Sequence, residues 1–169
     1  MRRLIPVLLV LLLAVGAAGC GGETSREDFE AQVRESRDTT DQALRNIALS
    51  EDWDQLLLRI RAASDQIGRA AEELDEVGAP DELEDEHREL VLSLRGLSEE
   101  VGNTATALEE EPAFQESPVS ALEFAFWDRT QNALAALREQ GVDAPPLGRH
   151  APEQGGPGVG GEDDGAGES

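Results

Sequence analysis

The 169-residue chain contains no lysine and no tyrosine, one cysteine, one methionine and two histidines. With a single cysteine it can form neither an internal disulfide nor a Cys-x-x-Cys redox or zinc pair. The only methionine is Met1, so no interior methionine is left to serve as an axial haem ligand. No histidine is placed to activate a serine or threonine, and Gly-x-Ser-x-Gly is absent. The glycine-rich run GGPGVGG follows no strand and opens no helix, so it is no phosphate cradle. The acidic runs 81–86 and 109–111 lack the alternating ligands and central glycine of a calcium loop. The missing lysine and tyrosine read as compositional bias.

What is present begins with the N-terminus. Met1-Arg2-Arg3 is a short positive start, and Leu4 to Gly19 then runs without a charge and ends in small residues. That is the layout of a secretory signal, and it falls short of the roughly 20 apolar residues a membrane-crossing helix needs. Ala17-Ala18-Gly19-Cys20 closes the run. This tetrapeptide resembles the lipobox of bacterial lipoproteins, although that family most often has leucine where this chain has Ala17. The resemblance covers residues 1–22. It implies a signal peptide over 1–19, removed by cleavage, and a diacylglycerol on the thiol of Cys20, which becomes the first residue of the mature chain. It further implies attachment to the extracytoplasmic face of the cell membrane. Each buried methylene of such an anchor contributes about 0.8 kcal/mol, and two chains hold where one is marginal.

Loss of Arg2 and Arg3 takes the formal charge from −22 to −24. A field of that sign repels phosphate, so nucleic acid and anionic lipid surfaces are poor partners. The acids read as a solvated surface. The length after cleavage suits one domain, and no internal repeat stands out. Residues 20–24 read as a lipidated start and short linker, 25–141 as a helical domain, and 142–169 as a disordered Gly/Pro-rich acidic tail.

Four segments carry helical periodicity. The first, from Ser25 to about Ala48, sets Phe29, Val33, Leu44 and Ile47 on a thin stripe that Ser36 and Thr40 interrupt. The second, capped by Ser50, carries Trp53, Leu56, Ile60, Ala63, Ile67, Ala70, Leu74 and Val77, and Gly78 ends it. The third, capped by Asp81, carries Leu83, His87, Leu90, Leu94, Leu97, Val101, Thr104 and Leu108. Ser117-Pro118 opens the fourth, with Leu122, Phe126, Ala133 and Leu137 inward and Gly141 at its end. The expected fold is all-α, an up-down-up-down four-helix bundle; the alternative is a three-helix bundle with the first helix as a stalk.

With four residues between Cys20 and the first helix, the bundle sits against the bilayer and the turn at Gly78 faces it. Trp53, Phe114, Phe124, Phe126 and Trp127 then gather at the far end. Phe126 faces the core, Trp127 lies on the flank of the stripe, and Phe124 is expected to be exposed. Trp53, Phe114, Phe124 and Trp127 are the candidate contacts for a protein partner in the envelope, against the alternative of an aromatic plug closing the bundle.

Glu84 and His87 form the Glu-x-x-His spacing of di-iron bundles, but the second histidine, His150, lies in the tail and the ligand count fails. No cofactor and no metal are therefore expected, and no enzyme. Two functions remain: a tethered interaction or structural module of the envelope, or a small-ligand or metal carrier using the bundle interior near His87.

Overall fold

The computed structural model describes residues 24–110 and 124–148. Residues 1–23 with Cys20 among them, Phe114, the Ser117-Pro118 pair, Leu122 and His150 lie outside the described residues. Among the described residues four helices follow in order: α1 (Arg26–Ala48), α2 (Trp53–Val77), α3 (Glu84–Glu110) and α4 (Ala125–Glu139), with a 3-10 turn, Asp81–Leu83, before α3. At 1.5 Å per residue the first three run about 35 to 40 Å.

Their ends follow local chemistry. Ser25 caps α1 by accepting the Asp28 N–H at 3.1 Å. Asp52 caps α2 by accepting the Gln55 N–H at 2.8 Å. Ser50, the expected cap, instead donates its hydroxyl to the Ile47 carbonyl and closes the end of α1. Gly78 ends α2 at φ 71°, ψ −171°, a region essentially restricted to glycine. Asp81 caps nothing: Pro80 precedes it, the Leu83 N–H bonds the Pro80 carbonyl at 2.8 Å, and the 3-10 turn leads straight into α3.

The bundle is up-down-up-down. Thr24 at the start of α1 donates its hydroxyl to the carbonyl of Val77 at the end of α2, at 2.6 Å. Arg61 near the start of α2 pairs with Glu109 near the end of α3. Glu86 at the start of α3 accepts from Gln140, just past α4, at 3.1 Å. The stripes read from the sequence meet in one core, where Phe29, Ile60, Ile67, Leu74, Leu90, Leu94, Leu97 and Leu137 are all but sealed from solvent. Each contributes about 1.5–3 kcal/mol by burial. The first helix is no stalk. Phe29, Val33, Leu44 and Ile47 are buried against the rest, and the two polar residues in its stripe are satisfied there. Ser36 donates to the Ala70 carbonyl of α2 at 3.1 Å, and Thr40 donates back to the Ser36 carbonyl at 2.8 Å.

The α2–α3 seam contains a repeat that the sequence hides. At a spacing of 34 residues, Leu56, Arg61, Ser64, Gly68, Ala71 and Leu74 of α2 recur as Leu90, Arg95, Ser98, Gly102, Ala105 and Leu108 of α3. The contacts recur too. Arg61 pairs with Glu109 and Arg95 with Asp75, while Ser64 stands over Gly102 and Ser98 over Gly68. Two antiparallel helices with one shared pattern thus face each other about a local two-fold axis.

The folded domain extends beyond residue 141, where the tail was expected to begin. Gly141, at φ 79°, ends α4 in a Schellman motif: its N–H bonds the Arg138 carbonyl and the Val142 N–H bonds the Leu137 carbonyl. The chain then turns back as a strap, 142–148, running between α4 and α1. Val142, Ala144 and Leu147 are buried in the core. The apolar spacing of Val142, Ala144 and Leu147, diluted by two prolines and a glycine, carries no helical or strand period, so the segment reads as tail in the sequence. The remainder of the expected tail, from 149, lies outside the described residues.

Candidate functional site

Trp53 stands at the start of α2, at the end of the bundle remote from Thr24, whereas Phe124, Phe126 and Trp127 stand at the start of α4, which meets the middle of α3 at Gly96 and Glu100. All four are half-buried and pack against the core. Phe124 is not the exposed residue a helical wheel makes it. The helix begins one residue later, and Phe124 stands before it in extended conformation, so the 100° rotation does not apply to its side chain. Of the four candidate contacts expected to gather at the far end, only Trp53 is there among the described residues: α4 is too short to reach it, so Phe124 and Trp127 stand together at its start beside the middle of α3, and Phe114 lies outside the described residues.

Two devices on α3 position the start of α4. Phe124 supplies no side-chain cap, and Glu100 replaces it from across the seam. Its two carboxylate oxygens accept the N–H groups of Ala125 and Phe126 at 2.9 and 3.0 Å. A carboxylate at a helix N-terminus satisfies orphan donors and opposes the positive end of the dipole. Gly96 supplies the second device. A Cβ there would sit 2.1 Å from the Phe126 ring, so the missing side chain is the space the ring occupies. The guanidinium carbon of Arg129 lies 5.7 Å from the centroid of the same ring. Arg129 also binds Glu89 with both carboxylate oxygens, at 2.6 and 3.1 Å. Hydrogen bonding to Arg129 holds the Glu89 carboxyl below its usual range, and the same bond raises Arg129. Beside these residues is an open hollow of about 380 Å³, lined by Gly96, Glu99, Glu100, Asn103, Thr104, Ala107 and Phe126.

His87, near the start of α3, lies toward the Thr24 end of the bundle and is buried. Its Nε2 is 2.9 Å from the Leu74 carbonyl. A carbonyl only accepts, so Nε2 carries the proton. The ring meets Phe29 edge to face at 5.7 Å. Glu84, its partner in the Glu-x-x-His spacing, turns to solvent and binds Arg88 at 2.6 Å. Among the described residues no group of three or more histidine, cysteine, aspartate or glutamate side chains could hold a metal ion. The hollow next to His87 measures about 280 Å³ and is bordered by Asp75, Glu84, Arg88 and Arg95, two acids and two arginines.

Sequence reasoning missed Gly96, Glu100 and the Ser64–Ser98 pair. Gly96 and Gly102 inside a long helical stripe were a signal for close approach, since glycine in a helix interior costs about 1 kcal/mol and needs a reason. Glu100 gave none, being one acid among 36.

No family model, curated protein or solved structure matches the chain. No described helix is long and apolar enough to cross a membrane.

Proposed function

We propose that the protein is a lipid-anchored bundle of the bacterial cell envelope, held to the extracytoplasmic face of the membrane through Cys20 and acting there as an interaction or structural module. The observation that carries this reading is the Thr24–Val77 hydrogen bond, at 2.6 Å. It ties the chain four residues after Cys20 to the Gly78 end of the bundle. A four-residue connection spans at most about 14 Å, so an anchor on Cys20 holds that end against the bilayer and leaves Trp53 at the far end, with Phe124 and Trp127 midway along the bundle. Phe124 and Trp127, half-buried together at the start of α4, are aromatic side chains of the kind that anchor protein contacts.

The lipobox resemblance of Ala17-Ala18-Gly19-Cys20 supports the anchor. The reading is tested by fractionating cells that express Cys20→Ala. The account expects uncleaved precursor without lipid and loss of the bundle from its normal membrane fraction. A Cys20→Ala chain of mature mass that stays in the membrane would overturn it.

A further inference from the structure

The strap is held in an unusual way for a piece of core. Five side chains of α1 and α4 grip it, and they read mostly its backbone. Arg138 donates to the Ala144 carbonyl at 2.9 Å, and Arg37 donates to the Pro146 carbonyl through Nε at 3.1 Å. Gln131 brackets Leu147, donating to its carbonyl at 2.9 Å and accepting its N–H at 3.2 Å. Asp41, almost fully buried, accepts the Gly148 N–H at 2.7 Å, and Arg34 pairs with Asp143 at 2.8 Å. Between these contacts Val142, Ala144 and Leu147 fill the seam as apolar anchors.

Close helix packing runs from α1 to α2, α2 to α3 and α3 to α4, and α1 and α4 share no comparable seam among the described residues. The strap occupies that gap. It is joined to α4 by a single glycine in left-handed conformation, Gly141, which is exposed. A groove between two helices, with apolar pockets and side chains placed to bind main-chain carbonyls, is how proteins take extended peptides. Prolines at 145 and 146 suit that role, since a chain already restricted in conformation loses less entropy on binding.

We propose that the groove between α1 and α4 is a peptide-binding groove which this chain fills with its own residues 142–148. Its external ligand is an extended segment of a partner protein with the same pattern: apolar residues at the first, third and sixth positions and prolines at the fourth and fifth. The strap in place makes the free protein self-inhibited, because the competent state is the fraction with the strap released. This inference stands on the fold and does not rest on the lipid anchor.

The test uses the purified full chain and a labelled heptapeptide, VDAPPLG. Leu147→Asp removes the strap's largest anchor and leaves every groove residue in place. It is expected to bind the peptide with a Kd at least about ten-fold lower than the wild-type chain, whose groove is occupied. Adding Arg37→Ala and Gln131→Ala to Leu147→Asp should abolish that binding, as should replacing leucine by aspartate in the peptide. A Leu147→Asp chain of unchanged helix content that shows no saturable binding overturns the proposal. So does loss of helix content in both Leu147→Asp and the milder Leu147→Ala, which would make the strap an inseparable part of the core. Strap-exchanged dimers of the wild-type chain would assign the groove to a second copy instead, and would equally overturn an external ligand.

Discussion

Ser64 and Ser98 donate their hydroxyls to each other's backbone carbonyls across the α2–α3 seam, at 2.9 and 2.8 Å. Each hydroxyl lies over the bare Cα of the other helix's glycine, Gly102 under Ser64 and Gly68 under Ser98. The local two-fold axis makes the two bonds equivalent. Ser64→Ala and Ser98→Ala should therefore lower stability by similar amounts, about 1 kcal/mol each. Gly102→Ala, whose Cβ would stand 2.9 Å from the Ser64 hydroxyl, should cost more in the native background than beside Ser64→Ala. Urea unfolding of the four variants checks both statements; a markedly unequal pair of serine losses would contradict the symmetry.

Gly96 and Phe126 give a prediction that changes sign. Gly96→Ala drives a methyl into the Phe126 ring, an overpacking worth about 1–3 kcal/mol of lost stability. With Phe126→Ala in place the collision is gone, and the same change should stabilise by about 0.5–1 kcal/mol through helix propensity. A double-mutant cycle measured by chemical denaturation reads the reversal. Equal effects in the two backgrounds would mean that Gly96 is there for some reason other than the ring.

The Glu89–Arg129 pair predicts an acid-side loss. Glu89 has a depressed folded pKa, so in acid the unfolded state binds more protons and stability falls with falling pH. The stabilisation is complete above the ordinary glutamate value of about 4.3, and it disappears as pH drops through the lower folded value. Both side chains are close to half exposed, so the effect is small. The melting temperatures of the native chain and Glu89→Gln should differ at neutral pH and converge in acid. A gap that widens on acidification would assign Glu89 a different role.

Much of this fold was legible because it rests on apolar period. Along α2 and α3 the stripe from Leu56 to Leu108 landed in the core almost residue for residue, since an unbroken 3-4 spacing leaves one face to bury. Boundaries were less legible. Both Ser50 and Asp52 are good caps by residue type, and only the geometry of the chain reversal selects Asp52. The start of α4 was unreadable for a stronger reason: its cap, Glu100, comes from another helix, and no local pattern announces a tertiary cap. The strap was missed because seven residues with three apolar anchors resemble linker until α1 and α4 are known to leave a gap.

The half-buried aromatics Phe124 and Trp127 at the start of α4 can serve as a contact surface or as a core plug. Under the reading proposed here, Phe124→Ala with Trp127→Ala reduces retention of envelope proteins on the immobilised bundle more than it reduces stability. Thermal unfolding and pull-down of the same double variant separate the two. A loss on the order of 3–5 kcal/mol per residue, the scale of a large aromatic removed from a sealed core, would make them a plug.

The central claim is the anchor and the orientation it imposes, and the most direct measurement is the intact mass of the wild-type chain extracted in detergent from cell membranes. The account predicts a chain beginning at Cys20 and carrying a diacylglycerol. A chain that still begins at Met1, or one that begins at Cys20 with an unmodified thiol, would contradict it.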